Sequence, residues 1–257
     1  MRLALGAFLL VAMNGFAAEP ALRFSIPDSW AMPVVQIERG RPTQGILHDL
    51  MASLATQVGN PAEFHVLARA RVQAAMDHKE IDVRCYVAQP WLPNPSGDYI
   101  WSIPLFVQRD LLVSHERPPL PVIPGNLPMQ PIGTVLSYTY PSLQPLFDSR
   151  QLLRDDARNQ EQVLQKLWAG RYRYAVSNQW TLDWFNQTLP PDQQLHGVAV
   201  LQEQAVGCVI RNDPALPVQR VLRTLLRMKM SGEIDDIIGL YTGHRPTESA
   251  PQSYGAP

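Results

Sequence analysis

The sequence predicts an α/β fold made of two units, because strand-like and helix-like segments alternate twice along the chain. In the first series, residues 22–26 alternate apolar and polar side chains as a strand does, and apolar residues recur at helical spacing in 46–58. A second series starts at 132–136, where a strand pattern follows a proline-rich segment. Strand–helix–strand units form mostly parallel sheets covered by helices, so we expect two such sheets.

The rest of the first unit continues this alternation. Gly59 ends the first helix, and the patterns after it predict a strand at 63–67, a helix near 70–78 and a strand at 81–87. In such sheets, ligands bind beyond the carboxyl ends of the strands. The loops that follow the three strands should therefore line one crevice, which places Trp30, Arg69 and Trp91 near one another.

The second unit shows the same signals. A turn at 137–141 and a short helix to Phe147 follow its first strand, and later patterns predict helices at 159–168 and 179–186 and strands at 172–176 and 197–201. The apolar segments 109–115 and 204–211 join the two units. Two lobes connected by two crossings of the chain predict a hinge.

The N-terminus has the order of a secretory signal peptide. Arg2 is followed by an apolar run at 3–13 and by small residues up to Ala17, so we expect residues 1–17 to be removed on export to the periplasm. The apolar run is too short for a bilayer span, which takes about 20 residues, and we expect no membrane insertion after cleavage. At the other end, clustered prolines predict a disordered tail at 243–257.

Composition excludes several kinds of partner. The formal net charge is −1 and the charges are scattered, which argues against a basic patch for nucleic acid. Neither the cysteines nor the histidines show metal-ligand spacing, so no metal and no cofactor is expected. Cys85 and Cys208 each lie in a strand-like apolar run of an exported chain, and a disulfide and two buried thiols are both compatible with that setting.

Several motifs resemble, in order, those of the family 3 extracellular solute-binding proteins. They are Gly45-Ile-Leu-His-Asp-Leu50, Glu80-Ile-Asp82, Tyr99-Ile-Trp-Ser-Ile-Pro-Leu105, Ile132-Gly-Thr-Val-Leu136 and Ser231-Gly-Glu-Ile-Asp235. The resemblance implies a divergent member of the polar amino-acid-binding type, with a two-lobed type II periplasmic-binding fold. Each lobe would be a mixed, mostly parallel sheet flanked by helices, and two hinge crossings would join them. Lobe 1 would comprise 22–108 plus 206–242, and lobe 2 would comprise 112–203.

The resemblance also implies a function. Such a protein captures a small ligand between its lobes by hinge closure, acts as a monomer, and passes the ligand to an inner-membrane ABC permease or informs a sensor. In the family, an arginine after the third strand binds the ligand's α-carboxylate, whereas this chain reads Ala88-Gln-Pro-Trp-Leu92 there. The family's ammonium-binding aspartate corresponds to Ser177 or Asn178.

With both charged anchors absent, free α-amino acids should bind weakly unless Arg69 or Arg71 substitutes, since each charge-assisted hydrogen bond contributes about 1.5–3 kcal/mol. Aromatic residues at strand ends instead indicate stacking or cation–π contact with a flat, sugar-like or cationic ligand, although core packing explains each one equally well. The predicted ligand-binding residues are Trp30, Arg69, Arg71, Trp91, Trp101, Tyr138, Thr139 and Asn178, with Trp180 as a further stacking candidate.

No sequence motif indicates an enzyme. The paired acids Asp155-Asp156 and Asp235-Asp236 are adjacent, and we expect them on solvated helix surfaces where they cannot act on one substrate. Two alternatives to solute capture stay open. One is a periplasmic signalling or interaction partner that has lost small-molecule binding, and the other is an exported enzyme on the same fold.

Overall fold

The computed structural model describes residues 19–92 and 99–243. The signal peptide predicted at 1–17, the loop tip at 93–98 and residues 244–257 of the predicted tail lie outside the described residues. In the described part of the chain, no helix is both long enough and apolar enough to cross a membrane.

Strands and helices alternate as the sequence predicted. The strands are β1 Leu22–Pro27, β2 Gln36–Glu38, β3 Arg41–Gln44, β4 Ala62–Leu67, β5 Val83–Val87, β6 Tyr99–Trp101, β7 Phe106–Ser114, β8 Gln130–Val135, β9 Leu152–Ala157, β10 Tyr174–Asn178 and β11 His196–Arg211. The α-helices are α1 Ile46–Val58, α2 Val72–Asp77, α3 Gln144–Asp148, α4 Gln160–Trp168, α5 Gln179–Gln187, α6 Val218–Met230 and α7 Glu233–Thr242.

The main sheet is mixed, with the strand order β4-β1-β5-β11-β7-β10-β8-β9, and β6 also pairs with β11. Its two ends are parallel, because β1 pairs with β4 and β5, and β8 pairs with β9 and β10. Its middle is antiparallel, where β11 pairs with β5, β6 and β7. A separate hairpin joins β2 and β3.

Strand β11 belongs to both ends of this sheet. Its residues 196–206 pair with β7, and its residues 207–211 pair with β5 and β6. We call the elements β1–β6, α1, α2, α6, α7 and residues 207–211 the first half, and β7–β10, α3–α5 and residues 196–206 the second half. The lobe boundaries proposed from the sequence are close to this division and stay a prediction.

Gly207 marks the point where β11 passes from one half to the other. A Cβ atom at this position would lie 2.6 Å from Ser102 Oγ and 2.9 Å from the Ile103 carbonyl oxygen. The next residue, Cys208, donates its backbone N–H to the same Ser102 hydroxyl over 2.9 Å. Only glycine therefore allows the chain that precedes β7 to approach β11 this closely.

Apolar spacing explains the main helix of the first half. Helix α1 buries Ile46, Leu47, Leu50 and Leu54 on the face that packs against α6 and α7, and it ends at Gly59 in a left-handed conformation, φ 86°. In the second half, α4 and α5 begin at Asn159 and Asn178, whose side-chain oxygens accept backbone N–H groups of the first helical turn.

The structure corrects one element of the sequence analysis. Asp155 and Asp156 lie on strand β9, not on a helix, and they point to opposite faces as strand neighbours do. Asp155 forms ion pairs with Lys166 and Arg171, and Asp156 accepts a hydrogen bond from Thr134 over 2.7 Å. Strand β9 is an edge strand, so its charged residues hide the apolar alternation on which the prediction relied. Helix α6 and the β2–β3 hairpin were also not predicted.

A buried carboxylate holds three segments of the first half together. Asp82 is 1% exposed, and its Oδ1 lies 2.6 Å from Arg23 Nη2 on β1 and 2.7 Å from Arg211 Nη2 at the end of β11. Burial alone would raise the pKa of Asp82, but the hydrogen bonds from Arg23 and Arg211 outweigh it and hold the pKa below its ordinary value.

We expect Asp82→Asn to lower the free energy of unfolding at pH 7 by about 3 kcal/mol, because it removes the buried carboxylate shared by Arg23 and Arg211 and leaves Arg211 with Asp213 alone. A depressed carboxyl pKa stabilises the fold above the unfolded-state pKa of about 3.9, and this contribution is lost as the pH falls below it. Urea unfolding at pH 7 and pH 3 should therefore show a smaller cost at pH 3. The more exposed Asp156→Asn is the control, at about 1 kcal/mol or less. Equal costs at both pH values would contradict this account.

A disulfide links the paired strands β5 and β11. Cys85 and Cys208 are register partners in this antiparallel pair, with Cα atoms 3.9 Å apart, and their sulfur atoms are bonded. The bridge closes a loop with a sequence separation of 123 residues, and that loop contains the whole strand set of the second half. Of the two alternatives left open by the sequence, the structure contains the disulfide.

Replacing both cysteines by alanine should lower the free energy of unfolding by about 2–5 kcal/mol, because the unfolded chain then regains the freedom that the large closed loop denies it. Thermal unfolding of the oxidised protein, with and without reductant, measures this effect. The double variant should unfold at one midpoint under both conditions. A midpoint for the wild type that does not respond to complete reduction would contradict the expectation.

Candidate functional site

A cluster of aromatic rings lies between the two halves, with Tyr86 at its centre. The ring centroid of Tyr86 is 6.1 Å from Trp30, 6.2 Å from Trp91, 5.6 Å from Phe106 and 5.5 Å from Trp180. Trp30 follows β1 and Trp91 follows β5 in the first half, whereas Phe106 begins β7 and Trp180 lies in the first turn of α5 in the second half. The rings therefore join both halves.

The backbone at Tyr86 is unusual. Tyr86 has φ 60°, in the left-handed region that a bulky side chain rarely adopts. Its hydroxyl oxygen is buried and has no hydrogen-bond partner among the described residues. Burial, followed by the charge of Asp110, raises the pKa of this hydroxyl well above its ordinary value. Strained residues with unsatisfied polar groups are typical of functional sites.

Two contacts connect loops at opposite ends of the sheet order. The guanidinium carbon of Arg69, just after β4, lies 4.1 Å from the centroid of the Tyr138 ring, which follows β8. The Tyr138 hydroxyl is also 3.4 Å from the hydroxyl of Ser29, in the loop after β1. Because β4 and β8 lie near opposite ends of the strand order, these contacts show that the two halves face each other here.

Polar groups on β7 border the aromatic cluster. Gln108 is 8% exposed, and its Nε2 donates to Asp110 Oδ1 over 2.6 Å. Burial raises the pKa of Asp110 to about 6, although the Gln108 hydrogen bond and the charge of Arg69 act in the opposite direction. Burial and the charge of Arg69 also lower the pKa of Arg84, on β5, to about 10. Charges of both signs therefore lie close to Arg69.

The structure brings four of the predicted ligand-binding residues to this region. Trp30 and Trp91 contact Tyr86, and Arg69 and Tyr138 contact each other. The charge of Arg69 also acts on Tyr86, so Trp30, Arg69 and Trp91 all lie near this ring, and their role in ligand binding stays a prediction.

The other four predicted residues are placed differently. Arg71 and Thr139 are exposed. Trp101 lines a cavity of about 410 Å³ with Pro90 and Glu203. Asn178 is buried, and its side-chain oxygen accepts the Thr181 N–H over 2.8 Å, so helix capping already engages that oxygen. A role of these residues in ligand binding stays a prediction.

The sequence patterns did not indicate Tyr86, Phe106, Gln108 and Asp110 as residues of this region. Tyr86 lies inside a buried strand, where an aromatic residue is most simply interpreted as core. The signal that was available is the alternation Phe106, Gln108, Asp110, which places an amide and an acid on one face of an otherwise apolar crossing strand.

Solved structures share this fold, although no protein-family model and no curated protein sequence matches the chain. A mutant of ArgBP from T. maritima aligns with a TM-score of 0.67 and 18% identity over 88% of this chain and 96% of its own. A histidine kinase sensor domain with similarity to periplasmic binding proteins aligns with a TM-score of 0.68 and 17% identity, over 88% and 97%. The L-cystine solute receptor of Neisseria gonorrhoeae, in its unliganded open conformation, aligns with a TM-score of 0.62 and 14% identity, over 90% and 96%. The chain therefore has the two-lobed type II periplasmic-binding fold, as the sequence predicted.

The Tyr86 hydroxyl allows a direct test of the site. We expect Tyr86→Phe to leave the free energy of unfolding unchanged within about 0.5 kcal/mol or to raise it, because the variant removes a buried group that has no partner. Tyr172→Phe is the matched control, since the Tyr172 hydroxyl donates to the Val163 carbonyl over 2.7 Å in a buried position. That control should lose about 1 kcal/mol in urea unfolding. A loss at Tyr86 as large as at Tyr172 would show that its hydroxyl is satisfied in the folded protein.

Proposed function

We propose that this chain is an exported solute-binding protein that captures a small ligand between its two halves. The observation that carries the proposal is the contact of Arg69 with Tyr138, because it brings a cation from one half onto an aromatic ring of the other. Ser29 and the rings around Tyr86 complete a crevice with both polar and stacking groups.

The side chains of the crevice favour a small polar or cationic ligand with a flat or apolar part. Indole and phenol rings bind flat groups by stacking and cations through their faces. Two of the structures that share the fold are named for an arginine-binding protein and a cystine receptor, which supports a ligand of similar size. The loop after β5 carries Pro90 and Trp91 in place of an arginine, so we expect free α-amino acids to bind weakly unless Arg69 holds their carboxylate.

Hinge closure is the proposed mechanism of capture. The chain passes between the halves in the segment before β7 and again within β11, and a ligand that touches both halves stabilises the closed arrangement relative to the open one. The population shift can be no larger than the difference in ligand affinity between the two arrangements.

We also propose a cellular location and partners for the protein. The N-terminal sequence supports export to the periplasm, where a monomer would pass its ligand to an ABC permease or inform a sensor of the inner membrane. The similarity in fold to a kinase sensor domain is compatible with the second role. We propose a binding protein and not an enzyme, with no metal or cofactor.

A second candidate is a periplasmic signalling or interaction partner without a small ligand. This candidate is favoured by the burial of the aromatic rings between the halves, since Trp30 is 8% and Trp180 is 9% exposed. The protein's own side chains already cover these rings. In that case the contact between Arg69 and Tyr138 would serve to hold the halves together.

A thermal-shift screen of the mature protein against amino acids, polyamines, sugars, organic acids and short peptides tests the proposal. A ligand at 100 times its Kd should stabilise the folded protein by about 2.7 kcal/mol and raise the midpoint. Tyr138→Ala should reduce the shift, because it removes the ring that Arg69 contacts and the hydroxyl that lies near Ser29.

The control is Tyr174→Ala, at a ring whose hydroxyl contacts Glu116, two residues beyond the end of β7. When folded, Tyr174→Ala should show the same ligand-induced shift as the wild type. A screen without any shift would contradict solute capture and favour the interaction partner.

A further inference from the structure

Every second residue from Phe106 to Asp110 has its side chain on the face of β7 that borders the crevice. Phe106 stacks on Tyr86, and Gln108 and Asp110 follow it on the same face and are joined by a hydrogen bond. Arg109 points to the opposite face, where it forms an ion pair with Glu203. The amide and the carboxylate therefore extend the aromatic cluster with polar groups.

These polar groups have unused hydrogen-bonding capacity. Gln108 is 8% exposed, and its Oε1 is buried without a partner among the described residues, as is the hydroxyl oxygen of Tyr86. Most buried polar atoms in folded proteins are hydrogen-bonded, and leaving one unpaired is costly. An acceptor oxygen left open beside a carboxylate is suited to a donor that carries positive charge.

The carboxylate itself also lacks a full counter-charge. In the described part of the chain, Arg69 forms no ion pair with Asp110, and its guanidinium stacks on Tyr138. The register neighbours of Asp110 are Asn178 on β10 and Gln202 on β11, which do not ionise. Among the described residues, the titratable or charged groups that interact electrostatically with Asp110 are Arg69, Tyr86 and Tyr140.

We propose that Asp110, together with Gln108 Oε1, binds an ammonium or amidinium group of the captured ligand. This inference rests on the proposed function and narrows its ligand to a small organic cation. The rings of Tyr86 and its neighbours would hold the apolar part of that molecule. The missing charge is then supplied by the ligand and not by the protein.

A carboxylate that binds a ligand cation should lower the thermal stability of the unliganded protein at neutral pH. Burial raises the pKa of Asp110 to about 6, so its ionised form destabilises the unliganded fold, and the fold gains stability as the pH falls through this range. Asp110→Asn should therefore raise the midpoint at pH 7.5 by about 2–4 °C and have a smaller effect at pH 5. A carboxylate with a purely structural role would give a lower midpoint in the variant.

Matched probes test the binding itself. Calorimetric titrations would use phenethylamine, L-phenylalanine, agmatine and L-arginine as ammonium or guanidinium probes, and 2-phenylethanol and 3-phenylpropionate as analogues without a cation. We expect phenethylamine to bind at least 10-fold more tightly than 2-phenylethanol, or L-phenylalanine at least 10-fold more tightly than 3-phenylpropionate. Asp110→Asn should weaken that binding by about 10- to 100-fold and leave 2-phenylethanol unchanged. The exposed Asp148→Asn on α3 is the control and should bind as the wild type does.

The pH dependence is a second readout. With a pKa of about 6 at Asp110, the binding of phenethylamine should weaken about 10-fold between pH 7.5 and pH 5 in the wild type, because protonation removes the charge. In Asp110→Asn the affinity should not change over this range. Equal binding of cationic probes by the wild type and Asp110→Asn overturns the inference, as does a lower midpoint of the variant at pH 7.5.

The two proposals fail in different ways. If no cationic probe binds but the wider screen finds a neutral or anionic ligand, solute capture stands and the role of Asp110 is wrong. If no compound binds at all, both are wrong.

Discussion

The structure depends on the pairing of β7 with β11. Strand β11 is 16 residues long, and it carries its hydrogen bonds from β7 in the second half to β5 and β6 in the first half without leaving the sheet. This continuity fixes where each half ends and which loops can face each other. It also explains why Gly207 and the disulfide of Cys208 lie where they do, since both are found where β11 changes partners.

Two carboxylates, Asp82 and Asp110, show how their surroundings shift the pKa of one residue type in opposite directions. Asp82 receives hydrogen bonds from two arginines, which keep its pKa low and make it a joint between β1 and β11. Asp110 receives a hydrogen bond from an amide and only a distant charge from Arg69, so burial determines its pKa. The lowered pKa of Asp82 stabilises the fold at neutral pH, whereas the raised pKa of Asp110 acts in the opposite direction.

The crevice is assembled from segments that are far apart in the chain. Arg69 and Tyr138 come from the two halves, and Tyr86 contacts rings that precede and follow it along the sequence. A strand-end rule predicts which loops of one half share an edge, and it placed Trp30, Arg69 and Trp91 correctly in one region. That rule does not say how the second half is oriented, so the position of Asp110 opposite Tyr86 was not predictable from it.

By itself, the sequence determined the alternation of strands and helices, the bounds of α1 and the presence of two crossings, because apolar periodicity and helix-ending residues act locally. It did not determine β9, whose charges are paired with Lys166 and Arg171 by tertiary contacts, or the choice between thiols and a disulfide at Cys85 and Cys208. Tertiary structure alone decided that the Tyr86 hydroxyl and Gln108 Oε1 would be buried without a hydrogen-bond partner among the described residues. Burial and hydrogen bonding depend on neighbours distant in sequence, and the chemistry of the crevice follows from those neighbours.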